Sequence, residues 1–393
     1  MGIRANAPHN DYLIELVRAT LLHTELPPMP ADCDLEALSG LIRSQQLVSL
    51  VYPEICRHAH LQPIRAALER PYMMQIPKVT NQDLAIEMWL DEAEAAGIDC
   101  IPLKGYWLRK LYPSPIMRSM TDFDVLLREM DRNKIRPWME GMGFVAEEEK
   151  EISHHDNYVK RPWMYMELHK HLMKPRAGRD EFEHNLWSRC KPMAGYRHIY
   201  QMSQEDFYVF HMVHMYKHFT DRGSGLKSII DMHLFLQQHG HELDQTYLEQ
   251  ELNRFGILQY TRYMEKLADI WLGDGASNDD TRMVTDYIAD CGMFGTSKHY
   301  HTIQMASGKA QSQKSSKFRY RIKLLFPNVK TMAKRFPSVL KFPYLLPFYW
   351  IARFFRSLFQ KNHKKNALDF DHFSDEEFDQ VRHVLSVTGA IKK

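Results

Sequence analysis

The sequence predicts a compact α/β or α+β core flanked by N-terminal helices and a C-terminal helical domain. Between residues 98 and 170, short strand-like runs and helical spacings alternate in the order strand, helix, strand, helix, strand, strand. On either side, up to about residue 96 and from Glu205 to Asp290, the apolar spacing is helical. The hydrophobic and charged shares, 44% and 25%, are those of an ordinary globular chain. These observations divide the chain into an N-terminal helical region (1–96), a core (97–175), a helical domain (176–290), a basic Pro/aromatic-rich segment (291–368) and an acidic C-terminal stretch (369–393).

Each element has a local reason. Leu13, Leu16, Val17, Thr20 and Leu21 mark one helical face, and Ile86, Trp89, Leu90 and Ala93 mark another, which Gly97 ends. Ile98 to Leu103 is a short apolar strand candidate that leads into Lys104-Gly105. Tyr106 to Tyr112 reads as a short helix closed by Pro113 and Pro115. The run Met120 to Leu127 is the next strand. Asp131 to Met142 reads as a helix that stops at Gly143, and strand candidates follow at 144–149 and 163–169. Further helices are expected over 205–219, 225–239, 257–272 and 279–290. Gly223-Ser224-Gly225-Leu226-Lys227-Ser228 lacks the spacing of a phosphate-binding loop and reads as a helix–helix turn.

At 393 residues the chain is long enough for two or three domains. Its five cysteines lie far apart with no Cys-x-x-Cys pair, which excludes a zinc ribbon or a disulfide scaffold and fits a reducing compartment. Met1 to Asn10 carries no apolar signal core, and no apolar run reaches the roughly 18 residues of a spanning helix. A cytoplasmic location is expected, with peripheral attachment to the inner membrane face as its extension.

The chemistry concentrates on Asp122 and Asp124. Two residues apart on a strand, they share one face. Like charges so placed repel unless a cation lies between them, and a hard, oxygen-liganded ion such as Mg²⁺ suits them, with Mn²⁺ as the alternative. Leu103-Lys104-Gly105 is the candidate phosphate cradle, since glycine at a strand-to-helix turn allows backbone N–H groups to approach a phosphate and Lys104 adds charge. Glu167, inside the apolar run Met164 to Leu168, is the third carboxylate, costly there unless paired or metal-bound. His211, His214 and His218 share a helix but lack the glutamate of a zinc-protease motif, and so line the contact between helical domain and core. No role follows for His154 and His155.

Ile101-Pro102-Leu103-Lys104-Gly105, Leu111-Tyr112-Pro113, Arg118-Ser119-Met120-Thr121-Asp122-Phe123-Asp124 and Glu167-Leu168-His169 together resemble the uncharacterised nucleotidyltransferase family of the DNA polymerase β-like superfold. The match is strongest over about 101–171 and weaker around His214 to His218 and Lys227 to Asp231. The resemblance implies an α+β fold with a minimal polymerase β-like core, a short mixed sheet with helices, flanked by the N-terminal helices and the C-terminal helical domain. It implies Mg²⁺ held by Asp122, Asp124 and Glu167, which are the catalytic residues, against the triphosphate of ATP or GTP. It also implies transfer of a nucleoside monophosphate to an acceptor hydroxyl with release of pyrophosphate. Lys104, Gly105, Arg118 and Lys217 are the residues it offers to the phosphates, with bracing of the loop as the other role for Arg118. The acceptor is expected to be a small molecule, a glycan or a peptide, and not a nucleic acid. One departure stands out: the superfamily usually places serine after the glycine, and here Tyr106 follows Gly105. The alternative is therefore a weak or inactive core that serves as a binding or scaffold module, associated with a membrane surface.

Charge is unevenly distributed. Between Asp290 and Asp369 there are 16 Lys and Arg and no Asp or Glu, whereas residues 1–290 hold 43 acidic and 32 basic residues. The first expectation for the basic segment is that it folds back on the acidic body. The second is that 314–365 meets an anionic membrane surface. The third is a nucleic-acid surface, for which no RNA- or DNA-binding motif is present.

Overall fold

The computed structural model describes residues 7–129, 131–147, 155–162, 164–173, 179–307, 322, 325–333, 336–359 and 375–391. Helices α1 (Ala7–Leu22), α2 (Leu35–Ser44), α3 (Val48–Ile55) and the 34-residue α4 (Gln62–Ala95) precede the sheet. Asp34 caps α2 by accepting from the Ala37 N–H at 2.7 Å. Gly97 ends α4 with φ +69°, a left-handed position that favours glycine.

The core follows as β1 (Cys100–Pro102), α5 (Lys104–Arg109), β2 (Phe123–Leu127), α6 (Arg132–Gly141), β3 (Val145–Ala146), β4 (His155–Lys160) and β5 (Met164–His169). Its five strands lie in the order β1-β2-β5-β4-β3, with β2 and β5 parallel and the other neighbours antiparallel. The mixed sheet agrees with the α+β expectation and adds β4, which the sequence reading lacked. His155-Asp156-Asn157-Tyr158-Val159-Lys160 is too polar to signal a strand, and neighbouring strands supply its register. Trp163, His154 and the end of the 144–149 candidate lie outside the described residues.

The helical domain comprises α7 (Arg179–Arg189), a small hairpin of β6 (Lys191–Pro192) and β7 (Tyr200–Gln201), α8 (Gln204–Asp221), α9 (Leu226–His239), α10 (Gln245–Arg254), α11 (Leu258–Leu272) and α12 (Asp279–Cys291). Ser203 caps α8 by accepting from the Asp206 N–H at 3.0 Å. The turn expected between α8 and α9 is present. There a Cβ on Gly225 would lie 2.5 Å from the Gln45 side chain and 2.9 Å from the Met293 backbone.

Two cores form. Leu13, Leu16 and Val17 of α1 share one with Phe210, Leu267 and Tyr287, so the N-terminal helices and the helical domain are packed as one body. The other lies beneath the sheet, where Ile86, Trp89, Leu90 and Ala93 of α4 meet Phe123, Val125, Met166 and Leu168. After α13 (Ser297–Ala306), the described part of the basic segment holds α14 (Val329–Ala333) and α15 (Leu346–Phe359), with Pro337 and Pro343 opening short 3-10 turns between them. The acidic stretch supplies α16 (Asp375–Val387), which packs on α12 and α13 with Phe378, Val381, Val384 and Leu385 buried.

Candidate active site

Strand alternation builds the site. On β2, Phe123, Val125 and Leu127 enter the core under the sheet, while Leu126 joins the helical body. Asp124 therefore lies on the face turned to the helices. On β5, Met164, Met166 and Leu168 point into the same core, which leaves Glu167 and His169 on that other face. The parallel register pairs Asp124 with Glu167 directly, and β4 pairs Asn157 with Glu167 and His155 with His169. Asp122 lies one residue before β2.

The ligand oxygens of Asp122, Asp124 and Glu167 all lie within 4.8 Å of one another. The sequence therefore named three carboxylates that the fold brings together. His169 sits among them, its Nε2 3.2 Å from Asp124 Oδ1 and 3.5 Å from Glu167 Oε2. Lys104 Nζ lies 3.4 Å from Asp124 Oδ2, and His155 Nε2 lies 3.8 Å from Glu167 Oε2. From α8, His214 Nε2 approaches Lys104 Nζ at 2.7 Å and His218 Nε2 at 3.0 Å.

These neighbours set the charges. Burial, then Asp124, pushes the Asp122 carboxyl up to about 6. Burial opposes ionisation of Asp124 too, but Lys104 and His169 outweigh it and hold that carboxyl well below the usual range. Burial works against the His169 imidazolium, yet its bonds to Asp124 and Glu167 raise it to about 9. The same contact with His169 lowers Glu167 against its burial. Burial keeps His155, His214 and His218 neutral-leaning, the last at about 4, with Lys104 and Lys217 adding to the effect on His214 and His218.

Two donor sets overlap at Glu167. Asp122, Asp124 and Glu167 offer oxygen alone, which fits a hard divalent ion, and two of the three are fixed by adjacent strands. His155, Glu167 and His169 offer mixed nitrogen and oxygen within 4.8 Å, a set suited to a borderline ion. Lys104 and His169 supply positive charge among the carboxylates, which answers the repulsion that the sequence raised.

The other expected phosphate ligands are placed differently. Arg118 is buried and bonded to Asp231 of α9, Nε to Oδ1 at 2.7 Å and Nη2 to Oδ2 at 2.9 Å, with Tyr112 donating to the same carboxylate at 2.8 Å. Of the two roles considered for Arg118, its contacts are those of a brace between the Asp122 loop and the helical body. Gly105 lies inside α5, and a Cβ there would meet Met120 Sδ at 3.0 Å. Its smallness thus admits the loop that carries Asp122. Lys217 is exposed on α8, where its charge reaches His155, His214 and His218.

Sequence reasoning missed the roles of His155 and His169 as neighbours of the carboxylates. For His169 the signal was present, two residues beyond Glu167 on a strand. For His155 it was not, because the strand that carries it was unread.

A cavity of about 220 Å³ opens between α5 and the α8–α9 pair, lined in part by Trp107, Lys110, Gln204, Phe207 and Gln238. Among the described residues no helix is long and apolar enough to cross a membrane.

No curated protein and no solved structure matches the chain significantly. Residues 32–273 match the family described as uncharacterised nucleotidyltransferase, a span that takes in α2 through α11 and the whole carboxylate cluster. With more than half of its length matched, the chain belongs to that uncharacterised nucleotidyltransferase family.

Proposed function

We propose that the protein transfers a nucleoside monophosphate from ATP or GTP to an acceptor hydroxyl, releasing pyrophosphate and a proton. The observation that carries this reading is the convergence of Asp122, Asp124 and Glu167 on adjoining strands beside Lys104. The three carboxylates would hold Mg²⁺, or Mn²⁺, which supplies Lewis-acid polarisation of the phosphoryl group and neutralises developing charge. Lys104 and Lys217 face the triphosphate, and His214 and His218 extend that nitrogen-rich surface along α8. Glu167 polarises the attacking hydroxyl, and His155, kept neutral by burial, stands 3.8 Å beyond it to take the proton.

The acceptor would lie between the core and the helical domain. The cavity beside α5 suits a glycan or peptide, offering Gln204 and Gln238 amides next to the Trp107 and Phe207 rings. A second reading is a core that binds nucleotide without transferring it. Tyr106 favours it, because its ring packs on Trp107 and Phe123 where relatives in the wider superfamily place a serine hydroxyl.

The test is calorimetric titration of MgATP and MgGTP into wild type and Asp124→Asn. Binding that needs the ion and is lost in the variant supports the site. Equal binding, or none, in both proteins removes it. Incubation with α-labelled nucleotides and fractionated lysate then separates transfer from binding alone: a labelled acceptor supports transfer, and none in any fraction favours the second reading.

A further inference from the structure

The basic segment leaves the body at α13 and the chain returns at α16, and these two helices pack against each other. Lys298 of α13 and Glu377 of α16 form an ion pair at 2.5 Å across this neck. Between them the chain makes an excursion. Its described elements pack on one another around Met332, Ala333 and Val339, with Phe336, Leu346, Tyr349 and Trp350 closing over them. The Trp350 indole donates to the Pro327 carbonyl at 2.8 Å, and the Tyr349 hydroxyl donates to Ser338 Oγ at 2.8 Å. The excursion thus buries part of its apolar content in a small core of its own, distinct from the two cores of the body.

Several of its described apolar side chains face outward. Leu340, Phe342, Tyr344, Phe348 and Ile351 are all exposed, Tyr344 at 71% and Phe348 at 68%. Phe348 and Ile351, three residues apart, share one face of α15, and Tyr344 is exposed in the 3-10 turn that leads into it. Side chains of this size on a single face are an interaction surface rather than scattered exposure. Lys330 and Lys341 are exposed in the same excursion, and the whole span from Cys291 to Leu368 contains 16 Lys and Arg without one acidic residue.

We infer that this face is an interfacial anchor that seats the protein on an anionic lipid bilayer. The aromatic and aliphatic stripe enters the headgroup boundary, and the basic charge of the segment meets the anionic headgroups. Three alternatives fit less well. A nucleic acid would use the charge but leave the stripe in water. A second copy of the chain would bring one strongly basic surface against another. Folding back on the acidic body would use the charge, but it would not require the large side chains to remain exposed. Among the described residues no helix is long and apolar enough to cross a bilayer, and the attachment inferred is peripheral.

The test uses the full chain in flotation with vesicles of phosphatidylcholine alone and of phosphatidylcholine with phosphatidylglycerol. Flotation is expected with the anionic vesicles, weakened by salt. Tyr344→Ser/Phe348→Ser should lower partitioning by about tenfold or more, because two large apolar side chains no longer leave water. Lys330→Glu/Lys341→Glu should lower it on anionic vesicles only. Neither pair should move the melting temperature, since all four side chains are exposed. Four results overturn the proposal: no flotation of wild type on anionic vesicles, equal flotation of the serine variant, binding to RNA or DNA without binding to vesicles, or a dimer in sedimentation that the serine variant dissolves while vesicles go unbound.

Discussion

Asp124 on β2 and Glu167 on β5 are direct partners in a parallel register, so the backbone itself holds their carboxylates side by side. A pair fixed by strand hydrogen bonds cannot relax by rotating a loop away. The cluster must be balanced by cations, and in this structure Lys104 and His169 do so.

Replacing either member should therefore remove ion binding without unfolding the sheet. Asp124→Asn and Glu167→Gln are expected to lose Mn²⁺ binding in calorimetry and, on the proposed function, to lower nucleotide transfer by at least about a hundredfold. Glu167→Gln should melt within a few degrees of wild type in EDTA, whereas Asp124→Asn should stay folded but melt lower, because it takes the buried partner from Lys104 and His169. Retained Mn²⁺ affinity in both would place the ion elsewhere.

Asp122 gives a prediction with a definite sign. Its carboxyl is pushed up to about 6 by burial and by Asp124. In the unfolded chain the same group ionises near 4. The folded state therefore holds this proton more tightly, and ionised Asp122 costs stability. The cost is absent below about pH 4, grows between the two values, and is complete above about pH 6. Asp122→Asn should stabilise the ion-free protein at pH 7.5 by about 1–3 kcal/mol and do little at pH 4. Added Mg²⁺ should raise the wild-type melting temperature and close most of that gap. Melting curves at the two pH values, with EDTA and with Mg²⁺, measure all three effects.

What was legible in the sequence follows from the same physics. Asp122, Asp124 and Glu167 could be read because each is a charge inside an apolar run, where burial makes it conspicuous. The ends of α4 and α6 could be read because Gly97 and Gly143 stop them with φ +69° and +82°. Strand β4 was hidden because its residues are polar and its stability comes from pairing with β3 and β5. Helices α7 and α10 were also unread, since both are rich in polar residues and lean on the body for stability. The Arg118–Asp231 pair, 113 residues apart, has no local signature at all.

That pair carries its own prediction. Arg118 and Asp231 are both buried, and burial penalises each charge while the partner restores it. Arg118→Met should cost about 3–5 kcal/mol, because it leaves the buried Asp231 carboxylate without its guanidinium partner. Asp231→Leu should be similarly harmful, since it leaves the buried Arg118 guanidinium without its carboxylate. The double variant Arg118→Met/Asp231→Leu should be less damaging than the sum of the singles. Urea unfolding of the four proteins tests this, and strict additivity would contradict a direct pair.

Lys104 separates the ion from the nucleotide. Its ammonium is divided between Asp124 Oδ2 at 3.4 Å and His214 Nε2 at 2.7 Å. With nothing bound, it competes with a divalent ion for the same carboxylate. With a nucleotide bound, on the proposed function, it turns to the triphosphate. Lys104→Met should therefore strengthen or preserve the binding of Mn²⁺ alone, because a cation has left the cluster. The same change should weaken binding of the Mg²⁺–nucleotide complex by about tenfold or more, since a charge-assisted bond to phosphate is lost. Lys217→Ala, exposed on α8, should weaken the complex less and leave Mn²⁺ untouched. Calorimetry with Mn²⁺ and with MgATP distinguishes the cases. A parallel loss of both ligands in Lys104→Met would mean that Lys104 acts by holding the strand-to-helix turn, and not by meeting phosphate.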